Sequence, residues 1–192
     1  MSRPVLIVIG PSGVGKSSIF TRLRREGTIE IVPTWTTRPM RHDERRDDTD
    51  HVFCTEAEFE ERMATHFFME TARPFGLDAR YGLPHLSMVT RSGRIQVLMA
   101  RASVMRLVPQ HLENYVVYQV EAPFGRVREH LALRARRDGP QGSRLADFRR
   151  ELTAGRRYAR RIIDNTGPLH EVLKRVRNYL GEDFAEWLAA SA

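Results

Sequence analysis

A single cysteine, Cys54, is present in 192 residues, so no intramolecular disulfide can form and stability must come from a packed core. That usage suits a reducing compartment. Lysine is almost as scarce: of 31 basic side chains only Lys16 and Lys174 are lysine, and the rest are arginine. The apolar run Val5 to Ile9 is far short of the ~20 residues a membrane-spanning helix needs, and no cleavage pattern follows it. Internal repeats and low-complexity tracts are missing, which excludes a solenoid. Carboxylates are absent between Ala79 and Gln110. The expectation is a soluble cytoplasmic protein with no membrane partner.

The length allows one domain with a substantial core. A formal charge of +7 carried on arginine suits phosphate-rich ligands, because the guanidinium fork binds phosphate bidentately and keeps its charge. Arginine spread over a solvated surface would give the same composition, so position has to decide. One position does. The stretch "VLIVIGPSGVGKSSIF" contains G-x-x-x-x-G-K-S from Gly10 to Ser17, with a β-branched run before it and a helical pattern after it. Backbone N–H groups of such a loop surround phosphates, and the following helix adds its dipole. Gly10, Pro11, Ser12, Gly13, Val14, Gly15, Lys16, Ser17 and Ser18 are therefore expected to hold ATP. Lys16 would reach the β and γ phosphates, and the Ser17 hydroxyl would ligate Mg2+.

Further along, Ile29 to Trp35 reads as a strand, and Thr55 with Glu58 reads as the cap of an amphipathic helix. Phe67 to Thr71 and the segment near Tyr81 read as short strands, with Phe53, Phe59, Phe67 and Phe68 as core. Pro84 is placed to open a helix that ends near Gly93. Ile95 to Ala100 and Tyr115 to Val120 read as buried strands. Helical patterns cover Val127 to Arg136 and Leu145 to Tyr158, with "RRDGPQGS" breaking between them. "RIIDN" is a last strand and Leu169 to Leu188 a closing helix. Alternating strands and helices imply an α/β fold whose parallel sheet is covered on both faces.

"TTRPMRHDE", Thr36 to Glu44, taken with "GPSGVGKSS" and the arginine-flanked break, resembles the guanylate-kinase family of nucleoside monophosphate kinases from Val5 to about Leu180. The resemblance implies a P-loop NTPase fold in three parts: a core (1–33, 87–133 and 151–192), an acceptor-binding lobe (34–86) and a helical lid (134–150). It also implies that Arg38, Arg41 and Tyr81 hold the acceptor's phosphate, and that Arg136, Arg137 and Arg149 close over the donor. Independent physics agrees that fixed cations are required, because phosphoryl transfer between phosphates brings two anions together. A hinged lid also keeps out water that would take the phosphoryl group.

The sequence departs from that family where guanine would be read. Thr34 occupies the position of an expected serine, and Glu70 can stand for the glutamate. Leu83 follows Tyr81-Gly82 where a hydroxyl is expected, and no aspartate follows the lobe. His51 in "DHVF" replaces a phosphate-binding tyrosine. Together with "RYGLP" and "DNTGPL", it resembles the ribose 1,5-bisphosphate phosphokinases of the same superfamily, which implies a donor-site role for Asn165. The long loop Arg41 to Asp50 looks more like guanylate kinase. The leading expectation is ATP-dependent conversion of ribose 1,5-bisphosphate to phosphoribosyl pyrophosphate, with guanylate kinase (GMP to GDP) as the alternative. A non-catalytic binding module is a second alternative, against which intact Lys16 and Ser17 argue. Nucleic acid is not expected as a partner, because the arginines spread over lobe and lid instead of one stripe.

Overall fold

A computed structural model of the chain describes residues 5–41, 44, 50–74, 78–85, 94–138 and 144–190. Strand β1 (Val5–Ile9) is buried along its whole length. Its alternate residues serve two cores: Leu6 and Val8 join one apolar cluster, whereas Val5, Ile7 and Ile9 join another on the opposite face. This is the period of two that a strand covered on both faces requires. Each such aliphatic side chain contributes roughly 1.5–3 kcal/mol of burial.

Helix α1 (Lys16–Arg25) follows β1 and buries Ile19, Phe20 and Leu23. Strand β2 (Ile29–Val32) comes next, then β3 (Thr34–Thr36) and β4 (His51–Phe53). Helix α2 (Glu56–Ala64) precedes β5 (Phe68–Ala72) and β6 (Tyr81–Pro84). Strand β7 (Ile95–Met99) leads into a 3-10 turn (Ala102–Arg106) and the short helix α3 (Val108–His111). The chain ends with β8 (Tyr115–Glu121), α4 (Phe124–Asp138), α5 (Phe148–Arg156), β9 (Arg161–Asp164), α6 (Leu169–Asp183) and α7 (Ala185–Ala190).

Two sheets result. Five strands in the order β2-β7-β1-β8-β9 are parallel throughout. Val5 at the centre is in register with Gln96 on one side and Tyr115 on the other. The smaller sheet, β4-β3-β6-β5, is mixed: β3 and β4 are parallel, while β6 runs antiparallel to both β3 and β5. Phe59, Phe67 and Phe68 pack among themselves there, with Phe59 and Phe68 stacked at 4.7 Å. This is the P-loop NTPase arrangement, with the turn after β1 at the carboxyl ends of the parallel strands, where open α/β sheets bind ligands.

Three expectations are corrected. Ile29 to Trp35 is not one strand: Pro33 has no N–H to give a ladder, and the chain leaves the parallel sheet there and enters the small one as β3. Pro84 does not open a helix but closes β6, paired with Phe68 beyond the end of the β3 pairing. The remainder of that expected helix, 86–93, lies outside the described residues, as do 139–143 of the lid. Leu169 to Leu188 divides at Phe184 into α6 and α7. The Thr55 cap is a full capping box: the Thr55 hydroxyl accepts from Glu58 N at 3.2 Å, and the Glu58 carboxylate accepts from Thr55 N at 2.7 Å.

Candidate active site

The loop after β1 owes its shape to its glycines. Gly10 has φ +140°, and a Cβ there would overlap the Val120 carbonyl of β8. Gly15 has φ +94°, and its missing Cβ leaves room for the Asn165 amide. Asn165 Nδ2 donates to the Val14 carbonyl at 2.8 Å, so this residue braces the loop from the end of β9. Pro11 and Val14 are buried beneath. Gly10, Ser12, Gly13, Gly15, Lys16, Ser17 and Ser18 line a cleft of about 830 Å³.

Lys16 Nζ donates to the carbonyls of Gly10 at 2.5 Å and Pro11 at 3.0 Å. Burial of the ammonium lowers its pKa to about 8, against the opposing fields of Glu151 and Asp50, with Arg101 and Arg134 adding to the depression. Ser17 Oγ donates to Asp50 Oδ2 at 2.7 Å. His130, on α4, places Nδ1 3.1 Å from the Gly13 carbonyl, where it must be the donor.

The small sheet supplies the opposite wall. Thr34, Arg41, His51, Glu70 and Tyr81 all line the same cleft, and the buried Leu83 lines it too. His51 stands edge-on to Tyr81, and burial depresses its pKa, so the imidazole is neutral at pH 7. Burial raises the Glu70 carboxyl, opposed by Arg101 and Arg106. Arg38 lies behind this wall, 8% exposed and stacked over Phe53. Its fork donates to both oxygens of Glu44, at 2.8 and 2.6 Å, and Tyr81 hydrogen-bonds it as well. Arg41 donates to Glu44 from its backbone N at 2.8 Å and from Nη1 at 3.1 Å.

Burial works against the charge on Glu44, but the hydrogen bonds from Arg38 and the Arg41 backbone outweigh it, holding the carboxyl at about 2 instead of the ordinary 4.5. A depressed carboxylate stabilises the fold fully above the unfolded value and loses that contribution as pH falls through the folded one. Glu44→Gln is therefore expected to lower stability by at most ~3 kcal/mol at pH 7, and by progressively less from pH 4.5 towards pH 2. Urea unfolding of both proteins across that range checks it.

Three cations close the cleft on its third side. Arg101, just past β7, donates from Nε to Glu151 Oε1 at 2.6 Å and lies 3.5 Å from Asp147. Arg134 on α4 and Arg144, in the turns before α5, also line it. Arg144 is 7% exposed; burial lowers its pKa, Tyr81 opposes this, and Arg41, Arg134 and Arg38 reinforce it. A phosphate-cradling loop, an enclosed lysine and a set of guanidiniums thus face one space.

The sequence profile of guanylate kinase matches residues 1–127 of this chain. The chain belongs to the guanylate kinase family. It is 30% identical over 166 residues to guanylate kinase from Gloeobacter violaceus, an alignment covering 84% of this chain and 80% of that protein. It is 26% identical over 173 residues to ribose 1,5-bisphosphate phosphokinase from Desulfomicrobium baculatum, covering 87% and 88%. The crystal structure of guanylate kinase from Anaplasma phagocytophilum superposes with a TM-score of 0.65 at 21% identity, over 94% of this chain and 86% of that one, which establishes the shared fold. Like that family, the chain is an ATP-dependent phosphotransferase acting on phosphate groups.

Within this guanylate-kinase frame the arginines that line the cleft are not the three expected to close over the donor. Arg136 and Arg149 are exposed and do not line the cleft, and the Arg137 side chain lies outside the described residues. Helix periodicity is the reason. Val127 and Leu131 are the buried positions of α4, and Arg134 continues their face, whereas Arg136 does not. On α5 the inward positions are Phe148, Glu151 and Gly155, so Arg149 turns out, whereas Arg144 is buried in the turns that precede the helix. Asn165 is likewise a brace and not a cleft residue. Arg134, Arg144, Arg101, Asp50 and Glu44 were missed by motif reading. For Arg134, the apolar spacing of its own helix is a usable signal.

Proposed function

We propose that the cleft binds ATP along Gly10–Ser18 and a small phosphate ester against Arg41, Tyr81 and Arg144, and passes the γ-phosphoryl group between them, with GMP the leading acceptor. The observation that carries this reading is that the loop and the Arg41–Tyr81–Arg144 group line one cleft, with Lys16 and Arg134 in the same space. In the reaction an oxygen of the acceptor's phosphate forms the new P–O bond while the bond to ADP breaks, leaving the electron pair on ADP. No general base is required, since the acceptor oxygen is already anionic. Lys16 and Arg134 offset charge on the donor, and Arg41 and Arg144 hold the acceptor's anion in line. Arg38, clasped by Glu44, sets the wall on which Arg41 and Tyr81 sit. Magnesium bound with ATP neutralises donor charge, and the Ser17 hydroxyl is an oxygen ligand of the type that ion takes. The three-part division into core, acceptor lobe and lid follows the same lines: the small sheet for the acceptor, α4 and α5 for closure.

GMP leads because Thr34 and Glu70 line the acceptor wall, where a carboxylate can accept from a guanine edge, and because guanylate kinases match this chain at higher identity than the bisphosphate kinase does. One observation favours ribose 1,5-bisphosphate as a second reading: beside Glu70 the wall is finished by Leu83, Met99, Ala100 and Arg101, which offer no side-chain acceptor and one fixed cation. A second phosphate would fit that cation. ATP consumption measured with GMP, dGMP, other nucleoside monophosphates and ribose 1,5-bisphosphate decides the order. Turnover of GMP is expected; turnover of the bisphosphate with none of GMP would reverse it. Arg101→Ala then reports which acceptor uses that cation. A loss of about 10- to 100-fold in kcat/KM is expected for an acceptor whose second phosphate it binds, and little change for GMP.

A further inference from the structure

P-loop enzymes commonly hold magnesium between the hydroxyl that follows the loop lysine and a carboxylate from a strand beside the loop. In this chain that strand has none to give. Strand β7, adjacent to β1, ends in Met99-Ala100-Arg101, and residues 80–109 contain no Asp or Glu. Strand β8, on the other side, ends at Glu121, whose oxygens accept from Arg156 at 2.7 and 2.6 Å and from Gln119 at 2.7 Å. Among the described residues the carboxylates lining the cleft are Glu44, Asp50, Glu70 and Glu151. Glu44 is gripped by Arg38 and Arg41, Glu151 by Arg101, and Glu70 belongs to the acceptor wall. Of these described carboxylates, only Asp50 touches the loop serine, with Oδ2 2.7 Å from Ser17 Oγ.

We propose that Asp50, reaching from the small sheet to Ser17, is the carboxylate of this protein's magnesium site and replaces the one its central strands lack. A serine hydroxyl and a carboxylate oxygen in hydrogen-bond contact are two hard oxygen donors in one place, the ligand type magnesium accepts with few protein groups. Asp50 is also fixed: its backbone carbonyl accepts from Thr34 N at 3.0 Å, at the start of β3. The ion would therefore join the donor loop to the strands that carry Thr34 and His51. Metal binding with the nucleotide would then draw the acceptor wall towards the γ-phosphoryl group.

This inference rests on the donor reading above, and its test separates the two. Mn2+ binding to the full chain in the presence of saturating ADP is followed by electron paramagnetic resonance for wild type, Asp50→Asn and Asp50→Ala, alongside calorimetry of ADP without metal. Asp50→Asn keeps the size and a hydrogen bond to Ser17, so it serves as the variant that folds. Mn2+ affinity of the ADP complex is expected to fall by about 10- to 100-fold in both variants. Metal-free ADP is expected to bind at least as tightly as to wild type, because a negative charge beside its phosphates is gone. Unchanged Mn2+ affinity in Asp50→Asn would overturn the assignment and leave Asp50 a strut between sheet and loop. Equal losses with and without metal would overturn it too. Failure of wild type to bind ADP under any condition would overturn the donor reading itself.

Discussion

Lys16→Ala is expected to lower turnover by at least ~10³-fold with any acceptor, because under the proposed function it removes the enclosed ammonium that offsets charge on the donor phosphates. Lys16→Arg is expected to fail almost as badly: a planar fork cannot occupy the place of an ammonium that donates to the carbonyls of Gly10 and Pro11. Because burial of the ammonium is the main cause of its lowered pKa, removing the charge should not weaken the fold. Lys16→Ala is thus expected to melt at or above the wild-type temperature, which separates lost chemistry from lost structure. The same pKa carries a pH signature. With the free-enzyme value at about 8, Lys16 is charged below that pH and loses its proton above it, so kcat/KM for ATP should fall as pH rises through 8. Donor phosphates favour the charged form, so kcat at saturating ATP should hold to higher pH. Equal alkaline limits for kcat and kcat/KM would place the titration elsewhere.

How much of this could be read in advance depends on the range of the interaction. The loop, β1 and the capping box at Thr55 are local, each set by a few residues whose spacing is their own evidence. The change of sheet at Pro33 was visible in principle, since a proline inside a strand pattern is a place for the ladder to stop. Pro84 misled because a helix start and a strand end both tolerate a missing N–H, and only its pairing with Phe68 distinguishes them. Glu44 lay in a recognised motif, yet its grip on Arg38 and Arg41 depends on how the chain turns between them. Asp50 and Ser17, 33 residues apart, meet only through the placement of one sheet against another loop. No local pattern encodes that.

The lid shows most directly what helical phase adds to motif reading, and it yields the second large effect. Desolvation first, and then the fields of Arg41, Arg134 and Arg38, depress the pKa of the buried Arg144. Glu44 already pairs Arg38 and Arg41, and an anion bound in the cleft offsets the charge of Arg144 and Arg134, which is the requirement of a site built for a transferred phosphoryl group. Arg144→Ala and Arg134→Ala are each expected to cost about 10²- to 10³-fold in kcat/KM. Arg136→Ala and Arg149→Ala, exposed on α4 and α5, should stay within about twofold of wild type. The contrast is sharp because Arg134 and Arg136 differ only in phase on α4, and Arg144 and Arg149 lie five residues apart, one lining the cleft and one exposed. A second readout needs no turnover. Inorganic phosphate should raise the melting temperature of wild type and of Arg149→Ala, and should raise that of Arg144→Ala much less, since the site it would neutralise has lost its buried cation. If Arg149→Ala lost activity and phosphate stabilisation while Arg144→Ala kept both, the closing face of α5 would have to be rotated by roughly a third of a turn from the one described.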